Sequence, residues 1–510
     1  MNLPLVLRIL GQLLALFSLS MLPPIAVSLL YADGMWPHFL QALVIILGAG
    51  LALYLPLRDR KAELKIRDGF LVVAMFWCGL GIASATPLFL VGTPVMSLTD
   101  AVFEAVSGLT TTGATVLIGL DTLPHSVLWY RQQLHWLGGA GIIVLAVAIL
   151  PMLGVGGMQL YRAETPGPMK DTKLTPRIKE TAKALWLIYV TLTVLCTVSY
   201  RAAGMTWFDA IGHSFSTVST AGFSTHDASM GYFGSGPIEW ITILFMFLGA
   251  LNFSLHFVAW RRLMPDIRLD TDRRLPRLRW ARRRHVAPFA AVTGYFQDPE
   301  FRAFLGLHVL LMLFVALYLL GTGTYEGFGT ALTRAAFQTV SIGSSTGYTT
   351  TDFAAWPGAL PVILIFVSFV GGCAGSTSGG IKVLRWMLIF KQGLREMTRL
   401  LHPSAEIPVR LGERGVPSRV ADAVWGFFAV YVVVFGIMMV ALMATGLDQV
   451  TAFAAIAATL NNLGPGLGEV TTTFATVSDT AKWVCTVAMV MGRLEIFTLL
   501  ILFTPEFWRR

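Results

Sequence analysis

Apolar residues fall in long blocks along this chain, separated by shorter polar connections. Apolar runs cover residues 9–31, 38–57, 70–92, 126–153, 184–203, 237–260, 301–321, 358–390, 420–444 and 481–504. Each approaches or exceeds the ~20 residues that a helix needs to cross ~30 Å of hydrocarbon. The pattern therefore predicts ten spans. The first run follows Arg8 and extends over 23 residues, Ile9 to Tyr31. A secretory signal has an apolar region of only ~7–15 residues before a small-residue cleavage site. This run is longer and leads into a second one, His38 to Leu57, so both are read as retained helices forming a hairpin.

The connections alternate in charge. Those near 58–68, 154–183, 261–300 and 391–419 are rich in Arg and Lys, and Arg261 to Arg284 alone holds ten Arg. Those near 93–125, 222–236, 322–333 and 445–480 contain no Lys or Arg. Basic connections stay on the cytoplasmic side. Both termini, with Arg509 and Arg510, are then expected in the cytoplasm, and an even span count agrees.

Composition narrows the class. The 510 residues are 55% hydrophobic and 13% charged, against about 25% charged in soluble domains. A soluble enzyme, a disordered regulator and a nucleic-acid binder are all disfavoured. The net charge of +9 follows the connections, so it reads as a topology signal and a surface for lipid or an acidic partner. No folded basic module for nucleic acid is visible. Cys78, Cys196, Cys373 and Cys485 lie in apolar runs with no C-x-x-C, which points to small buried hydrophobes rather than a zinc site or disulfides.

The non-basic connections carry a fourfold repeat. Each holds a short amphipathic stretch and then a turn rich in small polar residues and Gly: 100–115, 207–224, 333–348 and 451–466. Aligned on Gly113, Gly222, Gly347 and Gly464, the units are separated by 109, 125 and 117 residues. Thr111, Thr220, Ser345 and Asn462 stand two positions earlier, and Thr110, Ser219, Ser344 and Asn461 three. Asp100 and Asp209 occupy equivalent places in the first two units, and a second Gly recurs at Gly138, Gly249, Gly371 and Gly492. Recurrence at this period marks one supersecondary unit used four times.

Each unit reads as helix, half-helix, extended turn, helix. Non-helical backbone at membrane depth persists only when buried in protein or lining water. Four such turns entered from one side can meet on one axis, where their carbonyls replace the hydration shell of a cation. Gly permits the required dihedrals, and each half-helix aims the negative end of its dipole at the ion. Thr-Thr-Gly and Ser-Thr-Gly-Tyr are similar to the Thr-Val-Gly-Tyr-Gly filter of potassium channels. Glu104 and Asp209, on the half-helices, are expected to be structural anchors, and His213 to pack.

The run 358–390 contains Gly371-Gly-Cys-Ala-Gly-Ser-Thr-Ser-Gly-Gly380. So much Gly is costly in a helix, so the reading is a helix interrupted by a flexible loop in the ion path, a gate; close packing of helices on Gly is the alternative. Gly380 is followed by Ile381 before Lys382, which fails the register of a phosphate loop. Thr377 stands at the centre of Gly375 to Gly379, where a nucleophilic Ser would be needed. The last span carries Arg493. A charge at mid-membrane faces a polar interior, so Arg493 is expected to pin the loop through its carbonyls. The alternatives are an ion pair with Glu495 or snorkelling.

The four turns, the stretch 371–383, Asn461-Asn-Leu-Gly-Pro-Gly466 and Met491-Gly-Arg-Leu-Glu-Ile-Phe497 together resemble the Trk/Ktr/HKT superfamily of potassium transporters, over essentially the whole chain. The extra hairpin, residues 1–57, makes it most similar to the bacterial TrkH-type subunit. The resemblance implies an all-α integral membrane protein, with a helix hairpin and four membrane-helix/pore-helix/membrane-helix repeats around one pore. It implies potassium as permeant ion without an organic cofactor, a homodimer, and a cytoplasmic nucleotide-binding TrkA-like regulatory ring. The location implied is the bacterial cytoplasmic (inner) membrane.

Filter residues carry over as Thr111, Thr112, Gly113, Thr220, Ala221, Gly222, Ser345, Thr346, Gly347, Asn462, Leu463 and Gly464. The gate carries over as Gly371, Gly372, Gly375, Ser376, Thr377, Ser378, Gly379, Gly380 and Arg493. Gly at all four filter positions goes with potassium over sodium in that superfamily, while Ser344-Ser345 departs from the Thr expected there. The expected units are 1–68 (hairpin and basic loop), 69–160 and 161–262 (repeats 1 and 2), 263–299 (Arg-rich loop), 300–395 and 396–510 (repeats 3 and 4).

The function expected is passive or proton-coupled potassium uptake. A secondary transporter with broken helices and a midplane solute site is the alternative, although it would need inverted halves and these repeats run in one orientation. An enzyme is not expected, because no nucleophile–base pair or metal cluster stands out.

Overall fold

The computed structural model describes residues 2–59, 66–144, 178–263, 289–412 and 414–509. Most of the Arg-rich connection and the basic segment 154–177 fall outside these residues. The hairpin consists of α1 (Leu3–Ser18), which passes through a short 3-10 turn into α2 (Leu22–Tyr31), and α3 (Trp36–Tyr54). Small residues let its helices approach closely: a Cβ on Gly11 would lie 2.7 Å from the Gly50 carbonyl oxygen. At the tip, Asp33 accepts the Ser126 amide at 2.9 Å, which anchors the hairpin to the first repeat.

Repeat 1 comprises α4 (Ile66–Val91), the half-helix α5 (Leu98–Leu109) and α6 (His125–Val144). Repeat 2 comprises α7 (Ile178–Ala202), the half-helix α8 (Trp207–Val218), α9 (Gly236–Gly249) and α10 (Phe253–Leu263). The short helix α11 (Phe289–Phe296) leads into repeat 3, with α12 (Pro299–Gly321), the half-helix α13 (Phe328–Gly343), α14 (Leu360–Ser368) and α15 (Val383–Leu401). Repeat 4 comprises α16 (Ser418–Ala444), the half-helix α17 (Gln449–Leu460), α18 (Asp479–Arg493) and α19 (Phe497–Leu500).

Among the described residues, six helices are long and apolar enough to cross a membrane, and two bent pairs raise the number to eight. The expected run 126–153 is helical over its described part, and 358–390 is split by the glycine-rich loop. Two runs read as continuous spans are instead bent. The chain turns by 98° between Gly249 and Phe253 and by 105° between Arg493 and Phe497. The loop takes up backbone of the first break, where Cys373 N–H donates to the Ala250 carbonyl at 2.8 Å and Phe253 N–H to the Gly375 carbonyl at 3.2 Å, while at the second the amides of Leu494, Glu495 and Ile496 donate to carbonyls of the preceding helix.

The half-helices form the centre. Every residue of α5 from Ala101 to Leu109 is buried, and α17 is buried almost throughout. A helix apolar on all sides must sit inside the fold. Three of their starts are capped by side-chain oxygens: Ser97 accepts the Asp100 amide, Thr206 the Asp209 amide, and Asp448 the Val450 and Thr451 amides, while α13 starts after Gly327 without such a cap. All four cysteines are free, and Cys196, Cys373 and Cys485 are buried.

Candidate functional site

All four half-helices end in the same way. After the last turn, Thr111, Thr220, Ser345 and Asn462 adopt left-handed backbone, with φ of 53°, 50°, 51° and 52°. The next amides, of Thr112, Ala221, Thr346 and Leu463, donate back to the carbonyls of Ser107, Ser216, Ser341 and Ala458. This is a Schellman stop, whose left-handed residue is usually Gly. Here hydroxyl and amide residues accept a strain of ~1–2 kcal/mol each. Gly113, Gly222, Gly347 and Gly464 follow at φ of 81°, 89°, 82° and 98°, where an L side chain is again strained.

The four turns close into a ring. A Cβ on Gly113 would overlap the Ala221 carbonyl oxygen, one on Gly222 the Thr346 oxygen, and one on Gly347 the Leu463 oxygen. A Cβ on Gly464 would lie 2.9 Å from the Thr112 oxygen, which completes the circuit. Residues up to 351 apart in the chain thus put four carbonyl oxygens at equivalent places around one axis. All four glycines line one cavity of about 440 Å³, which opens on the side of the non-basic connections.

Ser, Thr and Asn side chains brace the turns. Thr110 and Thr112 hydroxyls meet at 2.8 Å and those of Ser344 and Thr346 at 2.7 Å. Asn462 Nδ2 donates to Thr112 Oγ1 at 2.9 Å and to the Met489 carbonyl at 3.0 Å. Of the second glycines, Gly138, Gly249 and Gly492 press on the last carbonyls of their half-helices, from Leu109, Val218 and Leu460. Gly371 does not: it meets Gly379 and Gly380 and belongs to the loop.

The loop 371–380 lies directly beneath the ring. Thr377 Oγ1 donates to the Val218 carbonyl at 3.1 Å and meets Thr220 Oγ1 at 3.1 Å. Ser378 Oγ donates to the Ser344 carbonyl at 2.6 Å, and Gly379 N–H donates to Ser345 Oγ at 2.6 Å. Gly380 N–H donates to the Asn461 carbonyl at 3.1 Å. The loop therefore joins turns 2, 3 and 4. Arg493, 7% exposed, donates from Nη1 to the Thr377 carbonyl at 3.0 Å. Glu495 pairs with Arg385 instead, at 2.6 Å, so the ion pair weighed for Arg493 does not form. Ser376 Oγ is spent on the Cys373 carbonyl at 2.6 Å.

Glu104 and Asp209 are anchors, as expected. Glu104 forms a fully buried ion pair with Arg131 at 2.7 Å and accepts the Val116 amide at 2.9 Å. Asp209 accepts the Thr225 hydroxyl at 2.8 Å. His213 bridges the Asp209 carbonyl and Ser224 Oγ, both at 2.9 Å. On the cavity rim, His226 joins Asp121 of the first repeat's connection and stacks on Tyr232 at 3.5 Å. Burial alone would lower the His226 pKa, but its bonds to Asp209 and Asp121 outweigh that and raise it.

Sequence reasoning missed Arg131, Glu300 and Arg385. Each is a charge inside or at the edge of an apolar run, the signal that singled out Arg493. Glu300 accepts the amides of Ala374 at 2.7 Å and Leu384 at 3.2 Å, on either side of the loop's lower end. Among the described residues no group of His, Cys, Asp or Glu is arranged to hold a metal ion.

Four re-entrant half-helices with their turns ringed about one axis define a membrane-embedded protein of the cation-conducting class. The profile of the TrkH family, described as cation transport protein, matches residues 36–510, and the chain belongs to that family. It is 56% identical over 510 residues, all of both chains, to the Trk system potassium uptake protein TrkH of Halomonas elongata. It is 50% identical over 502 residues, 98% of each, to the protein of the same name in Escherichia coli K12. The crystal structure of the potassium transporter TrkH from Vibrio parahaemolyticus superposes with a TM-score of 0.88 at 51% identity, covering all of both chains.

Proposed function

We propose that this chain takes up potassium as the transmembrane subunit of a Trk-type system, through one gated pore along the axis of the four turns. The curated relatives named as potassium uptake proteins, similar over the full length, support the activity. The closed circuit of glycines against neighbouring carbonyls carries the assignment of the pore. Thr111 to Gly113, Thr220 to Gly222, Ser345 to Gly347 and Asn462 to Gly464 are the filter.

A bare cation entering the ring exchanges water for carbonyl oxygens held at fixed spacing. Four half-helix C-termini add negative potential there. Because each oxygen rests on a neighbouring turn, the ring resists collapse around a smaller ion. The loop 371–380 closes the path below, and Arg493 holds it while placing a positive charge against cations. The expected orientation puts the 440 Å³ vestibule outside and both termini in the cytoplasm. A second copy and a nucleotide-binding ring on the cytoplasmic side complete the assembly, and the inner membrane is its location.

Potassium and sodium flux of the purified chain in liposomes tests the reading. Gly113→Ser is expected to lower the potassium-to-sodium ratio by about tenfold or more, since strain and overlap both exceed ~1.4 kcal/mol. An unchanged ratio would refute the filter. Arg493→Ala is expected to raise resting potassium flux about fivefold, the worth of one hydrogen bond of ~1 kcal/mol, without altering the ratio. Resting flux equal to the parent's would sink the gate.

A further inference from the structure

The second turn is held by a part of the protein that is not a filter segment. Helix α6, which belongs to repeat 1, presents Arg131, Gln132 and His135 to the chain just beyond Gly222. Gln132 Nε2 donates to the Phe223 carbonyl at 2.8 Å, and Arg131 Nη1 donates to the Ser224 carbonyl at 3.2 Å. The Phe223 ring packs against both the Arg131 guanidinium, 4.1 Å from its centroid, and the His135 imidazole, stacked at 4.1 Å and 19°. Phe223 is 2% exposed, and Gln132 and His135 are fully buried.

These contacts have a specific mechanical effect. Two successive carbonyls, at 223 and 224, are fixed by donors on another repeat, and the Phe223 ring beside them is clamped by Arg131 and His135. The backbone around Gly222, at φ 89°, is then not free to rotate and turn its carbonyl off the axis. The other turns take such support one residue further on. Repeat 4 donates to the Thr115 carbonyl from Phe474 N–H at 2.8 Å and Thr473 Oγ1 at 3.1 Å, and repeat 2 to the Thr349 carbonyl from Gly231 N–H at 3.1 Å, whereas the carbonyl directly after the glycine, that of Tyr348, accepts from Ser341 of its own repeat at 2.7 Å. Gly464 is followed by Pro465, whose ring fixes φ without a partner.

We infer that Gln132, with Arg131 and His135 clamping Phe223, is a specificity-determining positioning residue for ion selection, acting on the second turn from outside the four filter segments. This rests on the filter reading above. Removing the Gln132 donor leaves the Phe223 carbonyl buried and unpaired, so the strand gains alternative orientations and the oxygen ring loses its fixed spacing. Smaller ions gain most from that loosening.

The test compares the potassium-to-sodium flux ratio of the full chain in liposomes for the parent, Gln132→Leu, Gln132→Met and Gly222→Ala. Both Gln132 variants are expected to lower the ratio by about tenfold, as one lost buried hydrogen bond would, with elution profile and resting potassium flux near the parent's. A purely structural role would lower yield and leave the ratio intact. If Gly222→Ala lowers the ratio and neither Gln132 variant does, the clamp is overturned and the filter stands. If Gly222→Ala itself leaves the ratio unchanged, the filter reading fails and takes the clamp with it. Should neither Gln132 variant give monodisperse protein, Phe223→Leu keeps the carbonyl and removes the clamped ring. Its ratio falls if the clamp acts, and a parental ratio refutes it.

Discussion

The first and third turns present nearly the same backbone, yet they are supported from opposite sides. Both carry a hydroxyl pair across two residues, Thr110–Thr112 and Ser344–Thr346. Behind the first stands a buried ion pair, Glu104–Arg131. Behind the third, at the equivalent place nine residues before the glycine, stands Gln338, whose Nε2 donates to the Thr351 carbonyl at 3.2 Å. Beneath the third turn Ser378 and Gly379 of the loop bind Ser344 and Ser345, while among the described residues no hydrogen bond ties the loop to the first. One turn is fixed to the scaffold alone, the other also to the loop proposed above as the gate. If the loop opens as proposed above, turns 2 to 4 each lose a support, and turn 1 loses none.

The strongest way to break this contrast is at the fixed turn. Glu104→Leu strands a buried guanidinium, and losing one partner of such a pair costs ~3–5 kcal/mol, a large share of the ~5–15 kcal/mol that holds a protein folded. The expected outcome is a sharp loss of monodisperse protein and of melting temperature in detergent. Adding Arg131→Met should recover part of it, and no recovery would mean that Arg131 matters chiefly for its bond to Ser224.

A smaller effect is expected at the third turn. Ser378→Ala removes the donor to the Ser344 carbonyl of the ring and, within the loop, the acceptor of the Gly372 amide at 2.9 Å. The net worth of the bond to the ring, ~1 to ~1.4 kcal/mol, predicts a rise of about fivefold to tenfold in resting potassium flux, with stability close to the parent's. Stability loss comparable to that of Glu104→Leu would erase the distinction between the turns.

The smallest effect lies on the rim. His226 joins Asp121 of the first connection to Asp209 of the second half-helix. Its pKa is raised by those carboxylates against the effect of burial, so the contribution of the imidazolium is full at acid pH and fades as pH rises through the raised value. Asp121 is shifted downward, opposed by burial and driven by its bond from His226, so its part is lost only on strong acidification. Melting temperature should fall as the pH rises above the ordinary histidine value of about 6.5, and His226→Gln should flatten that slope. A slope equal to the parent's would exclude the rim bridge.

Much of this organisation was legible in the chain because it repeats. A single glycine after Thr or Ser carries little information, but four at a common place between spans left the ring as the economical reading. The hairpin, the half-helices and the loop were legible for similar reasons of length and glycine content. The bends at 250–252 and 494–496 were not, because a single polar residue in each, Asn252 or Glu495, does not mark a helix end, and the loop's bonds to Ala250 and Phe253 come from far along the chain. Left-handed Thr111, Thr220 and Ser345 were also hidden, since nothing local marks a hydroxyl residue for a place that Gly would fill without strain. Arg131 and Glu300 carried a visible signal, a charge where hydrocarbon was expected, that was read only at Arg493.

The head-to-tail seam of the four turns has an evolutionary corollary. Every glycine is the floor on which the next segment's oxygen rests, so no quarter of the ring can be altered in isolation: a bulkier residue in one quarter deforms another encoded more than a hundred codons away. Duplicated units that share such a seam are free to diverge in their outer walls, as Glu104, His213, Gln338 and Ala455 have done at one shared position. Along the seam they must change together or not at all. Exchanging a single turn between relatives should consequently succeed only when its neighbour is exchanged as well.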